Sequence, residues 1–100
     1  FFCFLFCHAL VFYEANRSGY LPSDQRVEWR GDSALTDGSD NSVDLEGGYY
    51  DAGDLVKFGL PLGYTVTFLS WGLITYEEGY IQAGQISYAE TTIRWATDFI

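Results

Sequence analysis

The chain has 100 residues, a formal net charge of −9 and five basic side chains, a balance that excludes nucleic acid as a partner because phosphate binding needs clustered lysine and arginine. Aromatic residues make up 19% of the chain and hydrophobic residues 48%, more than a core of this size is expected to cover, so we expect some apolar surface to face further chain, a partner or a sugar.

Residues 1–8 form an atypical apolar segment, FFCFLFCH. It is shorter than the roughly 20 residues that a membrane span requires, and we interpret it as the remnant of a signal peptide or as an artefact of a partial gene. Cys3 and Cys7 could pair with cysteines elsewhere or stay free. Together with His8 they lack a fourth ligand, so we predict no metal site here.

The first predicted helix covers residues 9–17, which are rich in helix formers. Ser18-Gly19 and then Pro22 follow, the usual order of a glycine cap and a proline stop. Residues 16–18 also match the acceptor sequence for N-glycosylation, which matters only if the protein is secreted and this helix end is exposed.

Residues 20–60 show no sustained helical or strand period, which predicts a long functional loop. Its mixed charges are numerous enough to cross-link the loop internally: Asp24, Glu28, Asp32, Asp37, Asp40, Asp44, Arg26, Arg30 and Lys57. Arginine can hold a carboxylate through two parallel hydrogen bonds, so Arg30 or Arg26 is expected to brace Asp51 or the loop around it. Residues 37–41 resemble a calcium loop only weakly, because they lack the alternating oxygen ligands and the closing glutamate.

The loop ends in GGYYDAGDLVKFGLP at residues 47–61, where Asp51 and Asp54 lie three residues apart. Gly53 between them is expected to allow a tight turn that aims both side chains at one place. Two neighbouring carboxylates can divide their roles, because one remains a ready base while the other is held by hydrogen bonds. A solvated turn or a pair of helix-capping acids would have the same spacing.

Two further helices are predicted after the loop. Pro61 suits a first helical turn, and apolar residues follow at helical spacing on both faces up to Gly79, so this helix is expected to be buried all round. Ser87 and Glu90 have the spacing of a capping box, which predicts that the last helix begins near Ser87. Its pattern continues to Ile100 without a stop signal and Phe1 is not Met, so we expect a fragment truncated at both ends.

The long stretches around this acidic loop resemble glycoside hydrolase family 9, the cellulase family of β-1,4-glucanases. The resemblance rests on RVEWRGDSALTDGSD at residues 26–40, GGYYDAGDLVKFGLP at 47–61 and KFGLPLGYTVTFLSWG at 57–72, and it runs from about residue 9 to residue 100. WGLITYEEGY at residues 71–80 looks most similar to the invertebrate animal branch.

The resemblance implies an all-α fold in which residues 9–100 form the N-terminal portion of a catalytic domain, with about the first three helices and the long active-site loop of an (α/α)6 barrel. It implies that Asp51 and Asp54 act on the nucleophilic water and that Asp54 is the principal base. The loop position of Asp54 near backbone amides suits an ionised base as well. The family's general acid is a glutamate farther along than residue 100, so this chain alone is expected to be inactive.

Aromatic side chains in the loop offer flat apolar faces for sugar recognition, and we select Tyr50, Trp29 and Phe58 as substrate contacts. Arg30, Asp32 and Ser33 are assigned to support the loop. By family analogy the full-length protein is expected to be a secreted, monomeric, inverting endo-β-1,4-glucanase that acts on β-1,4-glucan, with no membrane partner. No cofactor is required, and calcium is left open for chain beyond these residues. The rival interpretation is a noncatalytic module that binds polysaccharide or calcium.

Overall fold

The computed structural model describes residues 2–100, and within this range it contains helices but no strand. Helix α1 spans Phe2–Ala15, and a 3-10 helix spans Ser39–Asn41. Helices α2, α3 and α4 then span Gly59–Thr75, Glu77–Gln82 and Ile86–Thr97. The prediction of an all-α array with a long loop after the first helix is therefore confirmed.

Helix α4 is the centre of the array because it contacts α1, α2 and α3. It buries Ala89, Thr92 and Ala96 along one side. Two small apolar clusters lie against it. One contains Leu10, Tyr80 and Ala89, and the other contains Tyr49, Leu62 and Ala96. The second cluster matters for function, because Tyr49 belongs to the long loop and is thereby fixed to the helices.

Several predicted helix boundaries differ from the structure. Helix α1 begins at Phe2 rather than Ala9 and ends at Ala15, while Gly19, expected to cap it, pairs with Ser33 in an isolated bridge. Phe6 packs edge-on against Tyr80 at 4.5 Å between ring centroids, so this part of the apolar segment is packed into the fold. Phe1 lies outside the described residues, and the interpretation of residues 1–8 as a separate segment stays a prediction.

The second predicted helix is divided in two. Helix α2 ends at Thr75, and Gly79, its expected end, lies inside α3. The predicted capping box is wrong, because α4 begins after Gln85 without a side-chain cap. Among the described residues, no helix combines the length and apolar character needed to cross a membrane.

The expectation that α2 is buried all round is also wrong. Leu62 is its one buried residue, while an aromatic ridge of Tyr64, Phe68 and Trp71 remains 63%, 50% and 63% exposed. The other helices of the array lie on the Leu62 side, where Val66 also joins the core. Helical periodicity identifies apolar positions, but it cannot say whether enough chain is present to cover two faces.

Candidate active site

The long loop is held at its two ends by backbone pairing with the end of α1. We call residues 16–19 and 47–50 the loop base. The Ser18 N–H donates to the Gly48 carbonyl at 3.0 Å, and the Tyr50 N–H donates to the Asn16 carbonyl at 2.9 Å. These bonds bring the residues just before Asp51 against the start of the loop.

Side chains from α4 strengthen this base. The Trp95 indole N–H donates to the Gly48 carbonyl at 2.9 Å, and the Tyr49 hydroxyl donates to the Thr92 carbonyl at 3.0 Å. Gly48 has a φ of 71°, and a Cβ there would lie 2.7 Å from the Phe99 ring. Burial raises the pKa of Tyr49, partly offset by the positive charge of Arg17.

A buried ion pair fixes the early part of the loop to α1. Glu14 is 2% exposed, and its carboxylate accepts hydrogen bonds from the Arg26 Nε at 2.7 Å and from the Arg26 backbone N–H at 3.2 Å. The guanidinium lies 3.6 Å from the centroid of the Tyr88 ring. Burial acts to lower the pKa of Arg26, but the hydrogen bond and charge of Glu14 outweigh it, so this pKa is raised. Of the two arginines expected to brace Asp51 or the loop around it, Arg26 binds Glu14 instead.

The two candidate catalytic carboxylates lie on the loop tip, which we define as residues 51–56. The Asp51 N–H donates to the Val56 carbonyl at 2.9 Å and closes the tip. The Val56 N–H in turn donates to the Asp54 carboxylate at 3.3 Å. Both aspartates are exposed, so neither is sealed in apolar packing.

The turn between these carboxylates is not made in the expected way. Gly53 does not adopt a positive φ, whereas Leu55 does, at 60°. A leucine in this left-handed region is uncommon and costs conformational energy. The chain turns at Gly53 without a left-handed glycine conformation, and the strain lies directly after Asp54.

A cleft with a volume of about 150 Å³ runs beside the tip between α1 and α2. Tyr50, Asp51 and Phe58 are among its lining residues. The remaining lining residues come from the helices and the adjoining loop: Phe12, Tyr13, Asn16, Tyr49, Pro61, Leu62, Thr65, Val66, Leu69 and Thr92. Asp54 lies on the exposed tip but does not line this cleft, and Trp29 is 76% exposed at another place on the loop.

Tyr50 is held in place by two of the residues assigned to loop support. Its hydroxyl shares a hydrogen bond with the Ser33 hydroxyl at 2.9 Å, and the Arg30 guanidinium lies 4.9 Å from its ring centroid. Arg30 Nε also approaches the Arg17 carbonyl at 3.4 Å. Arg30 therefore contacts the residue next to Asp51 rather than its carboxylate.

Asp32, the third residue assigned to loop support, accepts a hydrogen bond from the Leu21 N–H at 2.8 Å. This bond links two separate stretches of the long loop. It lies near the bridge in which Gly19 and Ser33 exchange backbone hydrogen bonds at 2.8 and 3.2 Å. The contacts of Asp32 thus join the far part of the loop to its base.

Lys57 is the residue whose place in the site the sequence did not reveal. Its ammonium group contacts the Asp37 carboxylate at 2.6 Å and the Leu45 and Gly47 carbonyls at 2.6 and 3.2 Å. The sequence indicated that the loop could be cross-linked by charge, but the Asp37–Lys57 pair has no local pattern. Between residues 2 and 100 we find no group of three or more potential metal-ligating side chains.

The structure also shows the surroundings of the two cysteines and of the glycosylation motif. Cys3 and Cys7 are free thiols. Cys7 lies 3.8 Å from an Arg26 guanidinium nitrogen, and Ser18 of the glycosylation motif is fully buried. The Asn16 side-chain amide donates to the Phe12 carbonyl at 2.8 Å. Cys7, Asn16 and Ser18 therefore lie within the contacts of α1 and the loop, whereas Cys3 is exposed.

A helical array that presents two exposed carboxylates beside an aromatic-lined cleft has the paired carboxyl groups that glycoside hydrolases use. Comparison with known proteins is more specific: the family model for glycosyl hydrolase family 9 matches residues 2–100. The chain belongs to this family, as the sequence motifs indicated.

Relatives in plants and animals show how much of the family's length is present. Endoglucanase 5 of rice, Oryza sativa subsp. japonica, is 56% identical over 91 residues, which is 91% of this chain and 17% of the rice protein. The solved endoglucanase of the termite Nasutitermes takasagoensis is 54% identical with a TM-score of 0.94, over 97% of this chain and 22% of the termite chain. This chain thus spans about a fifth of the length of these relatives. The nearly equal identities leave its placement in the invertebrate branch a prediction.

A third neighbour was solved with a sugar bound. The cellulase Cel9M of C. cellulolyticum in complex with cellobiose is 36% identical with a TM-score of 0.94, and the match covers 99% of this chain and 23% of Cel9M. These superpositions confirm the prediction that the chain has the fold of the first part of the family's (α/α)6 barrel.

Proposed function

We propose that this chain supplies the water-activating side of the active site of an inverting endo-β-1,4-glucanase, as part of a longer protein. One observation carries the proposal. Asp51 and Asp54 are both exposed on the loop tip, and each is hydrogen-bonded to Val56. Asp51 also lines a cleft that Tyr50 and Phe58 line.

Hydrolysis with inversion needs a base on one side of the sugar ring and an acid on the other, with carboxyl groups about 6.5 to 9.5 Å apart so that water fits between. Asp54 takes the proton from this water, whose oxygen attacks the anomeric carbon. The hydrogen bond from the Val56 N–H holds the Asp54 carboxylate in place for this step. Asp51 orients the same water.

The glycosidic bond breaks as the new carbon–oxygen bond forms, and a carboxylic acid protonates the leaving oxygen. We place this acid on a glutamate outside these 100 residues. The hydrolytic step requires no cofactor, because water is the nucleophile and carboxyl groups carry both protons. The isolated chain is therefore expected to be inactive.

The proposed substrate is a β-1,4-glucan. Tyr50 and Phe58 offer aromatic surface within the cleft, and Trp29 offers a further exposed ring on the loop. The cellobiose complex of Cel9M supports a cello-oligosaccharide as the ligand. A net charge of −9 suits a neutral polysaccharide better than an anionic one. We further propose that the full-length protein is secreted and monomeric.

A chimera tests the proposal with active and inactive forms in one background. Residues 2–100 replace the matched segment of the termite endoglucanase, and turnover of cellotetraose is measured for the chimera and its Asp54→Asn variant. Loss of the catalytic base in Asp54→Asn is expected to lower kcat by about 10²- to 10⁴-fold while cellotetraose binding is retained. Asp40→Asn, which removes the same charge from an exposed loop position, serves as the control with unchanged kcat.

The same experiment addresses the rival function. A noncatalytic binding module predicts that Asp54→Asn leaves kcat within a few-fold of the parent chimera, and this result would overturn the proposal. A folded chimera without activity would also contradict it. Nuclear magnetic resonance of the fresh product should show the α-anomer, because inversion at a β-linkage produces it. Hydrolysis by the isolated 100-residue chain would contradict the placement of the acid outside it.

A further inference from the structure

Lys57 lies three residues after Asp54 and uses the full donor capacity of its side chain. A lysine ammonium has three N–H donors, and it has three acceptors here: the Asp37 carboxylate and the carbonyls of Leu45 and Gly47. The Phe99 ring centroid lies 4.9 Å from the same nitrogen. The Lys57 side chain is only 10% exposed. An exposed lysine that merely improved solubility would not be held in this way.

These contacts are transmitted to the loop tip through Val56. Val56 immediately precedes Lys57, accepts the hydrogen bond from the Asp51 N–H and donates to the Asp54 carboxylate. A displacement of Lys57 therefore moves the one residue that bonds to both candidate catalytic aspartates.

Lys57 also connects the two stems on which the tip is carried. The stem before the tip, residues 47–50, is fixed by backbone bonds to Asn16 and Ser18, just after α1, and by the indole of Trp95. The stem after the tip is joined to this first stem by the hydrogen bond from the Lys57 ammonium to the Gly47 carbonyl. The strained residue Leu55 lies between Asp54 and this anchor, and such a conformation persists only where the surrounding structure holds it.

We infer that Lys57 is a positioning residue for Asp54, an inference that rests on the proposed function. Lys57 anchors the stem after the tip to the one before it, and thereby holds the Asp54 carboxylate where it can activate water. Small displacements of a reacting group have large kinetic effects, since about 1 Å can cost about 10²-fold in rate.

The test uses Lys57→Met in the chimera, a change that keeps the aliphatic chain and removes the ammonium. Asp37 is 39% exposed in its side chain, so water can solvate its freed carboxylate and the variant is expected to fold. We expect kcat to fall by about 10- to 100-fold at a temperature where the variant is fully folded. Arg94→Met removes one positive charge from an exposed position on α4 and is the matched control, with kcat unchanged.

A second background separates positioning from general stabilisation. If Lys57 acts through Asp54, then adding Lys57→Met to Asp54→Asn should lower the residual kcat by less than about twofold, because effects on one functional unit are not additive. A full further loss in the double variant would overturn the inference. So would unchanged kcat in Lys57→Met, or a rise in KM alone, which would connect Lys57 to the neighbouring Phe58 instead.

Asp37→Asn provides a milder change if Lys57→Met fails to fold. It weakens one of the three ammonium contacts, and kcat is expected to fall about threefold, again without effect in the Asp54→Asn background. An unchanged kcat in this folded variant would overturn the inference. The Asp54→Asn arm distinguishes the two ideas: if it retains turnover, the proposed function fails, whereas a collapse there with normal Lys57 variants refutes the inference alone.

Discussion

The loop base and the loop tip adjoin in the chain, yet they are held in opposite ways. The loop base is buried at Gly48, Tyr49 and Tyr50, and Tyr49 packs with Tyr13 of α1 and Ala96 of α4. The tip is exposed from Asp51 through Val56, and its internal hydrogen bonds connect only its own residues.

This difference separates the tasks of the two regions. The loop base supplies a fixed platform, and the tip supplies carboxylates that remain open to solvent. Enzyme sites commonly place reactive groups on loops that a rigid scaffold positions. The same kind of substitution should therefore lower the stability of the protein when it is made in the loop base and leave it nearly unchanged when it is made in the loop tip.

The largest difference is expected between two glycines. Gly48→Ala combines a left-handed φ with a Cβ 2.7 Å from the Phe99 ring, and we expect a loss of about 3 kcal/mol. Gly53→Ala in the tip meets open space at an unstrained φ and should leave stability nearly unchanged. Urea-unfolding midpoints of the two chimera variants measure this difference, and equal midpoints would contradict the contrast between base and tip.

Two carboxylates provide the next comparison. Glu14→Gln leaves the Arg26 guanidinium partly buried without its counter-charge, which should cost about 2 kcal/mol after allowance for the partial exposure of Arg26. Asp51→Asn is the same chemical change at an exposed position and should affect kcat but scarcely the midpoint. Comparable midpoint shifts in the two variants would show that the tip is structurally anchored after all.

Two tryptophans give a smaller difference. Trp95→Phe removes the indole hydrogen bond to the Gly48 carbonyl and should cost about 1 kcal/mol. Trp29 is 76% exposed, so Trp29→Phe should leave the midpoint nearly unchanged and show any effect in the KM for cellotetraose. A lower midpoint for Trp29→Phe than for Trp95→Phe would reverse the assignment of their roles.

The smallest effect concerns alkaline pH. Burial raises the pKa of Tyr49 in the folded state above its usual value of about 10. The folded chain then holds this proton more tightly, so the associated stability is present below pH 10 and is lost as the pH rises beyond it.

Tyr49→Phe should make the unfolding midpoint fall less steeply between about pH 9 and 11. Tyr20 is 70% exposed, and Tyr20→Phe should leave the slope unchanged. Part of the loss of stability at alkaline pH should remain in both variants, because burial and then the charge of Tyr13 raise the pKa of Tyr80 too. An identical slope with and without the Tyr49 hydroxyl would contradict the assignment.

The features that could be predicted from the sequence are local ones. The spacing of Asp51 and Asp54 and the proline in the first turn of α2 depend on neighbouring residues. The absence of any period in residues 20–60 correctly indicated a long loop.

The features that could not be predicted depend on residues far apart in the chain. Trp95 donates a hydrogen bond to the Gly48 carbonyl, 47 positions away in the chain. Arg26 binds Glu14 rather than Asp51 because α1 places the Glu14 carboxylate next to it. No local spacing encodes these partners. The strain at Leu55 was missed for a related reason: glycine indicates where a turn is easy, whereas the anchored stems decide which residue turns.

Lys57 is the single lysine of the 100 residues, and its engagement has a chemical consequence. A free, unprotonated ε-amine is the nucleophile that attacks an acylating reagent, so a group enclosed by a carboxylate and two carbonyls should be modified slowly. The rate of labelling at this position, followed by peptide mass spectrometry, would then report how often the loop stem detaches from its platform. Lys57 can therefore serve as a chemical probe of loop opening beside the proposed catalytic base.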